Sequence, residues 1–173
     1  MARIPYADYQ NSTEEIKKAW DEQVRHNGRV TNMKKTLLHS LPAYLAYQEW
    51  YPLADEIKPF IGERGVEIFS FAVSTGSNCV LCTTFFRKLL IERGENPEKL
   101  VLSEREQLLA DFGAQAGRDS TGVDKKLFSR LKAEFTDKEI VQLTAFAGIM
   151  AATNIFNNVL EIDLDDYLEN FRK

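Results

Sequence analysis

Cysteine is scarce in this chain. Two residues in 173 exclude a disulfide-framed secreted scaffold. Glycine and proline are also sparse, nine and five residues. Together they make up about 8% of the chain against about 12% on average, which disfavours a turn-rich β architecture. Basic excess is absent: 22 Lys and Arg face 26 Asp and Glu, for a net charge of −4 and a pI near 5.3. Non-specific binding to nucleic acid or to an acidic membrane needs the opposite sign. No apolar run approaches the roughly 18 residues of a membrane span. The opening residues, Met1 to Tyr6, contain no apolar signal core, so the expected location is cytoplasmic. What remains is ordinary globular material, 44% apolar and 28% charged, long enough for one domain over 1–173 with a full core.

Helix punctuation then organises the chain. Ser12 to Glu15 has the Ser-x-x-Glu form of a capping box and predicts a helix from about 13 to Asn27, closed by Gly28. Thr31 or Asn32 caps a short helix ending near His39. Ser40 caps another, with Pro42 in its first turn, ending before Pro59. An apolar helix is expected over about 61–75, followed by a break at Ser74 to Asn78. The next helix runs from near Cys79 to Arg93, with Gly94 at its end. Ser103 and Glu106 open a helix to about Ala116, and Gly117 to Gly122 reads as a loop. A short helix follows from about Asp124 to Ala133. Thr136 and Glu139 open a long one to about Val159. No alternating strand pattern and no hairpin signal interrupts this series. The expectation is one all-α domain of about eight helices.

The two cysteines form a single C-x-x-C, Cys79-Val80-Leu81-Cys82. A structural zinc site needs two further ligands. There is no second C-x-x-C, and His26 and His39 stand alone. A thioredoxin-like site needs a βαβ setting, which the helical pattern denies. A dithiol on a helical scaffold remains. Cys79 falls in the first helical turn and Cys82 about one turn on, on the same face. Unpaired amides and the helix dipole at that end favour a thiolate, Cys79 more than Cys82. Such a pair can pass through a sulfenic acid to a disulfide and back. The alternative is two small buried apolar side chains.

The segment Val66 to Cys82 places a glutamate, Glu67, twelve residues before the first cysteine. It resembles the carboxymuconolactone decarboxylase family, and within it the alkylhydroperoxidase D-like, peroxidase-related branch. Asn32 to Pro42 resembles that family's N-terminal helix pair, and Phe135 to Leu143, on through Asn154 and Asn157, its C-terminal helix. The resemblance spans most of residues 3–160, with the family core at about 30–160. It implies a thiol-dependent hydroperoxidase of antioxidant defence that needs neither metal nor haem. Cys82 would form the sulfenic acid, Cys79 would be proton donor and resolving thiol, and Glu67 the relay carboxylate. The implied partners are a hydroperoxide or other small oxidant, an external dithiol reductant and further copies of the chain in a homo-oligomer.

One position departs from the pattern. The branch continues C-x-x-C-x-x-x-His, and Phe86 stands where the histidine belongs. An apolar ring one turn beyond Cys82 raises a thiol pKa, and a lost general base costs about 10²–10⁴-fold in rate. Three consequences stay open: Glu67 acts as base, another residue such as His39 replaces the histidine, or turnover is lost and a redox-sensing or binding oligomer remains. A non-redox, lactone decarboxylase-like enzyme is a further alternative. Asn154 and Asn158 continue the apolar stripe Ile140, Leu143, Ala147, Met150 and are expected to tie helices or subunits together. The small residues Ala145, Ala147, Gly148, Ala151 and Ala152 suit close helix packing, across a subunit interface among other places. Asp163, Asp165, Asp166 and Glu169 read as a solvated acidic face.

Overall fold

The three-dimensional structure is a computed structural model that describes residues 2–173; Met1, the first residue of the N-terminal segment read above, lies outside the described residues. Within them the fold is all-α, without a strand. The helices are α1 (Glu14–Asn27), α2 (Asn32–Leu37), α3 (Leu41–Gln48), α4 (Trp50–Gly76), α5 (Val80–Glu92), α6 (Glu104–Arg118), α7 (Lys125–Glu134) and α8 (Asp137–Val159). Short 3₁₀ turns lie at Ser120–Gly122 and Asp166–Phe171. Side-chain caps start most of them, because the first amides of a helix have no partner within it. Thr31, Ser40 and Asp124 each accept a backbone N–H of the first turn. Ser103 with Glu106 and Thr136 with Glu139 form complete capping boxes. At α1 the cap is Thr13, one residue later than the Ser12 pattern suggests. Thr13 Oγ1 accepts from Ile16 N, while Ser12 Oγ donates back to the Asp8 carbonyl.

Two expected helix ends fall elsewhere. The helix capped by Ser40, α3, ends already at Gln48, and a separate helix, α4, starts at Trp50 and meets Pro59. Helix α4 runs through it and breaks at Gly62, where φ is 73° and ψ 168°. Proline removes one N–H and crowds the turn before it, whereas Gly62 lies three residues after it, so the break rests on glycine's access to positive φ. Helix α6 likewise runs past Ala116, through Gly117, to Arg118. Gly117 does not stop the helix; it lets α4 approach. A Cβ there would lie 2.2 Å from the Val73 carbonyl oxygen, and one at Gly76 would lie 2.4 Å from that of Ala114.

Helix α4 is therefore the central element, packed on α5, α6 and α8. The main core gathers Phe69, Leu109, Phe112, Leu143, Phe146 and Met150 around it. Phe69 stacks on both Phe112 and Phe146. A smaller cluster of Ala19, Leu37, Leu38 and Tyr44 joins α1, α2 and α3. By length and composition α8 is apolar enough to cross a membrane, with mean hydropathy 1.3 over its most apolar window. This differs from the sequence reading. Its stripe Ile140, Leu143, Ala147 and Met150 is nevertheless spent on the protein core.

The acidic C-terminal segment is not simply a solvated face. Asp163 accepts from Ala2 N and Tyr6 Oη, which draws its carboxyl pKa down to about 2. Asp165 accepts the Asn32 N–H at 2.9 Å, at the start of α2. The Asn32 amide in turn donates to the Asp163 and Leu164 carbonyls. Both aspartates are consumed in tying the C-terminal segment to the N-terminal half.

Candidate active site

The turn between α4 and α5 builds the thiol pair. Helix α4 ends at Gly76, and Asn78 takes a left-handed conformation with φ 52°. Asparagine tolerates that region better than most residues. The chain re-enters at Cys79, which is the N-cap of α5. Its Sγ accepts the Cys82 N–H at 3.3 Å, the task usually given to Ser, Thr or Asp. The Cys79 N–H is held by the Ser74 carbonyl at 3.1 Å. Helix α8 clamps the turn from the other side. Asn158 Nδ2 donates to the Ser77 carbonyl at 3.0 Å, and Asn157 Nδ2 donates to Cys82 Sγ at 3.1 Å. Both cysteines are buried free thiols.

Their acidities diverge. Cys79 is lowered because it accepts hydrogen bonds, from the Cys82 thiol first and then from helix-start amides, and these outweigh its burial. Cys82 is raised, first by donating its proton to Cys79 and then by burial. Of the two, Cys79 is the one that gives up its proton more readily, at the positive end of α5. The helix dipole favours the same sulfur, whereas the family resemblance assigns the reacting thiol to Cys82.

Cys82 is the sulfur that faces open space. A cavity of about 350 Å³ reaches it, walled by Trp50, Phe85, Phe86 and Met150, with Asn157 and Lys34 among its polar lining. Cys79 does not line this cavity. A wider groove of about 600 Å³, between Leu102–Leu108 and Arg130–Glu134, contains no thiol.

Phe86 sits where the sequence places it, buried on the thiol cavity and 6.5 Å from the Trp50 ring. Glu67 does not reach the thiols. Both its oxygens are taken by Arg93, at 2.7 and 2.9 Å. Arg93 caps the far end of α5, about 16 Å along the axis from Cys82. The carboxylate expected to serve a relay is instead a brace between α4 and the end of α5. Neither histidine replaces the missing imidazole. His39 Nε2 donates to the Pro5 carbonyl at 2.8 Å, and His26 Nδ1 to the Glu22 carbonyl at 3.0 Å. Both are exposed, away from the cavity.

Two residues enter the site that the sequence reading does not single out. Asn157 is visible there only as a member of the α8 pattern, seven residues after Met150 on the same stripe. Its Oδ1 is buried with no hydrogen-bond partner among the described residues, as are both amide atoms of Asn154 and the hydroxyls of Ser70 and Ser74. Lys34 carries no local signal at all. Among the described residues no group of three or more His, Cys, Asp or Glu side chains is placed to hold a metal ion.

No protein-family model and no curated protein matches the sequence. Solved structures do match the fold. One is an alkylhydroperoxidase AhpD core, an uncharacterised peroxidase-related protein from Ralstonia eutropha. It superposes with a TM-score of 0.77 at 19% identity, over 96% of this chain and 94% of that one. An uncharacterised peroxidase-related protein from a Silicibacter species superposes with a TM-score of 0.74 at 21% identity, over 99% and 96%.

Proposed function

From a fold shared with AhpD-like, peroxidase-related proteins, we propose that this chain is a thiol-dependent hydroperoxide reductase cycling Cys79 and Cys82 between dithiol and disulfide. The observation that carries the reading is the division of labour in the pair. Cys82 opens on the cavity and is held by Asn157. Cys79, the thiol whose pKa is lowered, caps the helix beside it and accepts the Cys82 N–H. The Cys79 thiolate takes the Cys82 proton as Cys82 sulfur attacks the distal peroxide oxygen. The O–O bond breaks, Cys82 becomes a sulfenic acid, and the departing alkoxide recovers the proton from Cys79 to leave as an alcohol. Cys79, again a thiolate, attacks Cys82 sulfur and expels hydroxide. One S–S bond has formed, two electrons have passed to the peroxide, and an external dithiol returns the pair to its reduced state. Asn157 Nδ2 supports the developing charge on Cys82. In this scheme Cys79 does the work of a base, so Phe86 need not be a histidine.

A homo-oligomer belongs to the same reading. The outer face of α8 carries Val141, Ala145, Gly148, Ala152, Ile155 and Val159 at helical spacing, and Val141 and Ile155 are 67% and 62% exposed. A second copy of the chain is the partner proposed for this face.

The test is thiol titration and intact mass of the reduced protein before and after one equivalent of hydroperoxide. Rapid loss of both thiols, reversed by a dithiol, is expected. Thiols that survive a stoichiometric excess would overturn the reading.

A further inference from the structure

Lys34 is a buried cation without a counter-ion. The residue is only 6% exposed. No carboxylate among the described residues lies within ion-pair distance of its Nζ, which donates to Gln48 Oε1 at 3.1 Å. It lies 5.3 Å from the ring centre of Tyr51 and 5.5 Å from that of Tyr44. An ammonium has three donors, and this one has a single acceptor among the described residues. Burial alone pulls its pKa down to about 8, so it stays mostly charged at pH 7. A desolvated charge with no anion beside it is costly and calls for an explanation.

The explanation lies in where it points. Lys34 lines the same cavity that opens on Cys82. The other charged groups there are occupied. Lys88 pairs with Glu92, Arg29 lies over the Tyr167 ring, and Asp165 accepts from the Asn32 N–H. The walls between are aromatic, with Tyr47, Trp50, Tyr51 and Phe85. One cation without an acid partner beside these aromatic walls matches one anionic charge on an apolar body, and a volume of about 350 Å³ is near the lower end of ligand cavities.

We infer that this cavity selects substrates carrying a carboxylate, bound to the Lys34 ammonium with the reacting end toward Cys82. Taken with the thiol chemistry above, on which this part rests, the substrate class is a carboxylate-bearing organic hydroperoxide. It leaves as the corresponding hydroxy acid, with water as the second product once the expelled hydroxide is protonated. The dithiol named above supplies the electrons for the next cycle.

Binding can be tested apart from the redox step. Isothermal titration of the reduced full chain with 4-isopropylbenzoate and with its neutral amide should show the acid binding at least about ten-fold tighter, as for a charge-assisted hydrogen bond. Lys34→Met should erase that preference, as should Lys34→Gln. Equal affinities for acid and amide in the unmodified protein would overturn the inference without recourse to any variant, as would a preference that survives both substitutions. Thiol oxidation by 4-carboxycumene hydroperoxide and by its methyl ester reads the other half. The acid should show the lower KM, again lost in Lys34→Met. Acid-selective binding with no thiol oxidation would uphold the anion site and sink the peroxidase reading. Oxidation with no acid preference would do the reverse.

Discussion

At the scale of single residues, the proposed cycle gives the two sulfurs different tasks. Cys82→Ser should abolish peroxide consumption, because it removes the only thiol on the cavity. Cys79→Ser should leave a slow thiol. Reactivity follows the thiolate fraction, which grows with pH, and Cys79 is the thiol whose pKa is lowered. The pH profile of alkylation should therefore show its inflection below the ordinary thiol value in the unmodified protein and at a higher pH in Cys79→Ser. An inflection that does not move would mean that Cys79 holds no charge. Glu67→Gln should keep peroxide consumption within about two-fold, since a partly exposed ion pair with Arg93 contributes little and touches no sulfur. Lys34 gives a stability signature of its own. Its folded pKa of about 8 lies below the unfolded value, so the unfolded chain binds the extra proton between about pH 8 and 10.4. The penalty is full below that window and fades as pH rises through it. Lys34→Met should raise stability at pH 7 by up to about 3 kcal/mol, with the gain shrinking toward pH 10. Denaturant melts at both pH values would show it.

At the scale of elements, the fold depends on how closely α4 and α6 approach. Gly76, Gly113 and Gly117 each sit where a Cβ would strike the facing helix. Gly117→Ala should destabilise by about 1–3 kcal/mol or more, the usual penalty for overpacking a rigid contact. Gly148, by contrast, lies on the outer face of α8, where a Cβ would meet nothing within 4 Å. Gly148→Ala should stabilise the folded chain by about 0.8–1 kcal/mol through helix propensity. Thermal melts of the two variants should move in opposite directions. Arg64 fixes the same region from outside, bridging α4 to Glu95 and to Glu106, which also closes the α6 capping box. The helix caps are legible from sequence because each is a contact between neighbours three residues apart. The glycine contacts are not, because a helix interior gives glycine the same local appearance whether it stops the chain or admits a partner.

At the scale of the whole molecule, the outer stripe of α8 is the largest apolar feature left to water on that helix. Replacing Val141 and Ile155 together with Glu should reduce the mass measured by light scattering to that of one chain. The far-UV spectrum should be unchanged, because neither side chain enters the core. An unmodified chain that already scatters as a monomer would remove the oligomer from the proposal.

The sequence by itself determined the all-α class, most helix starts, the thiol pair and its place at a helix N-terminus. These follow from residues a few positions apart, whose geometry is set as soon as the local backbone is helical. The tertiary structure decided the partners of the charged and polar side chains. Glu67 meets Arg93 across 26 residues, Asn157 meets Cys82 across 75, and Lys34 meets Gln48 and two tyrosine rings rather than an acid. Such pairings depend on the register and rotation of one helix against another. That arrangement is fixed by close packing of the whole core, in which no single spacing along the chain is decisive.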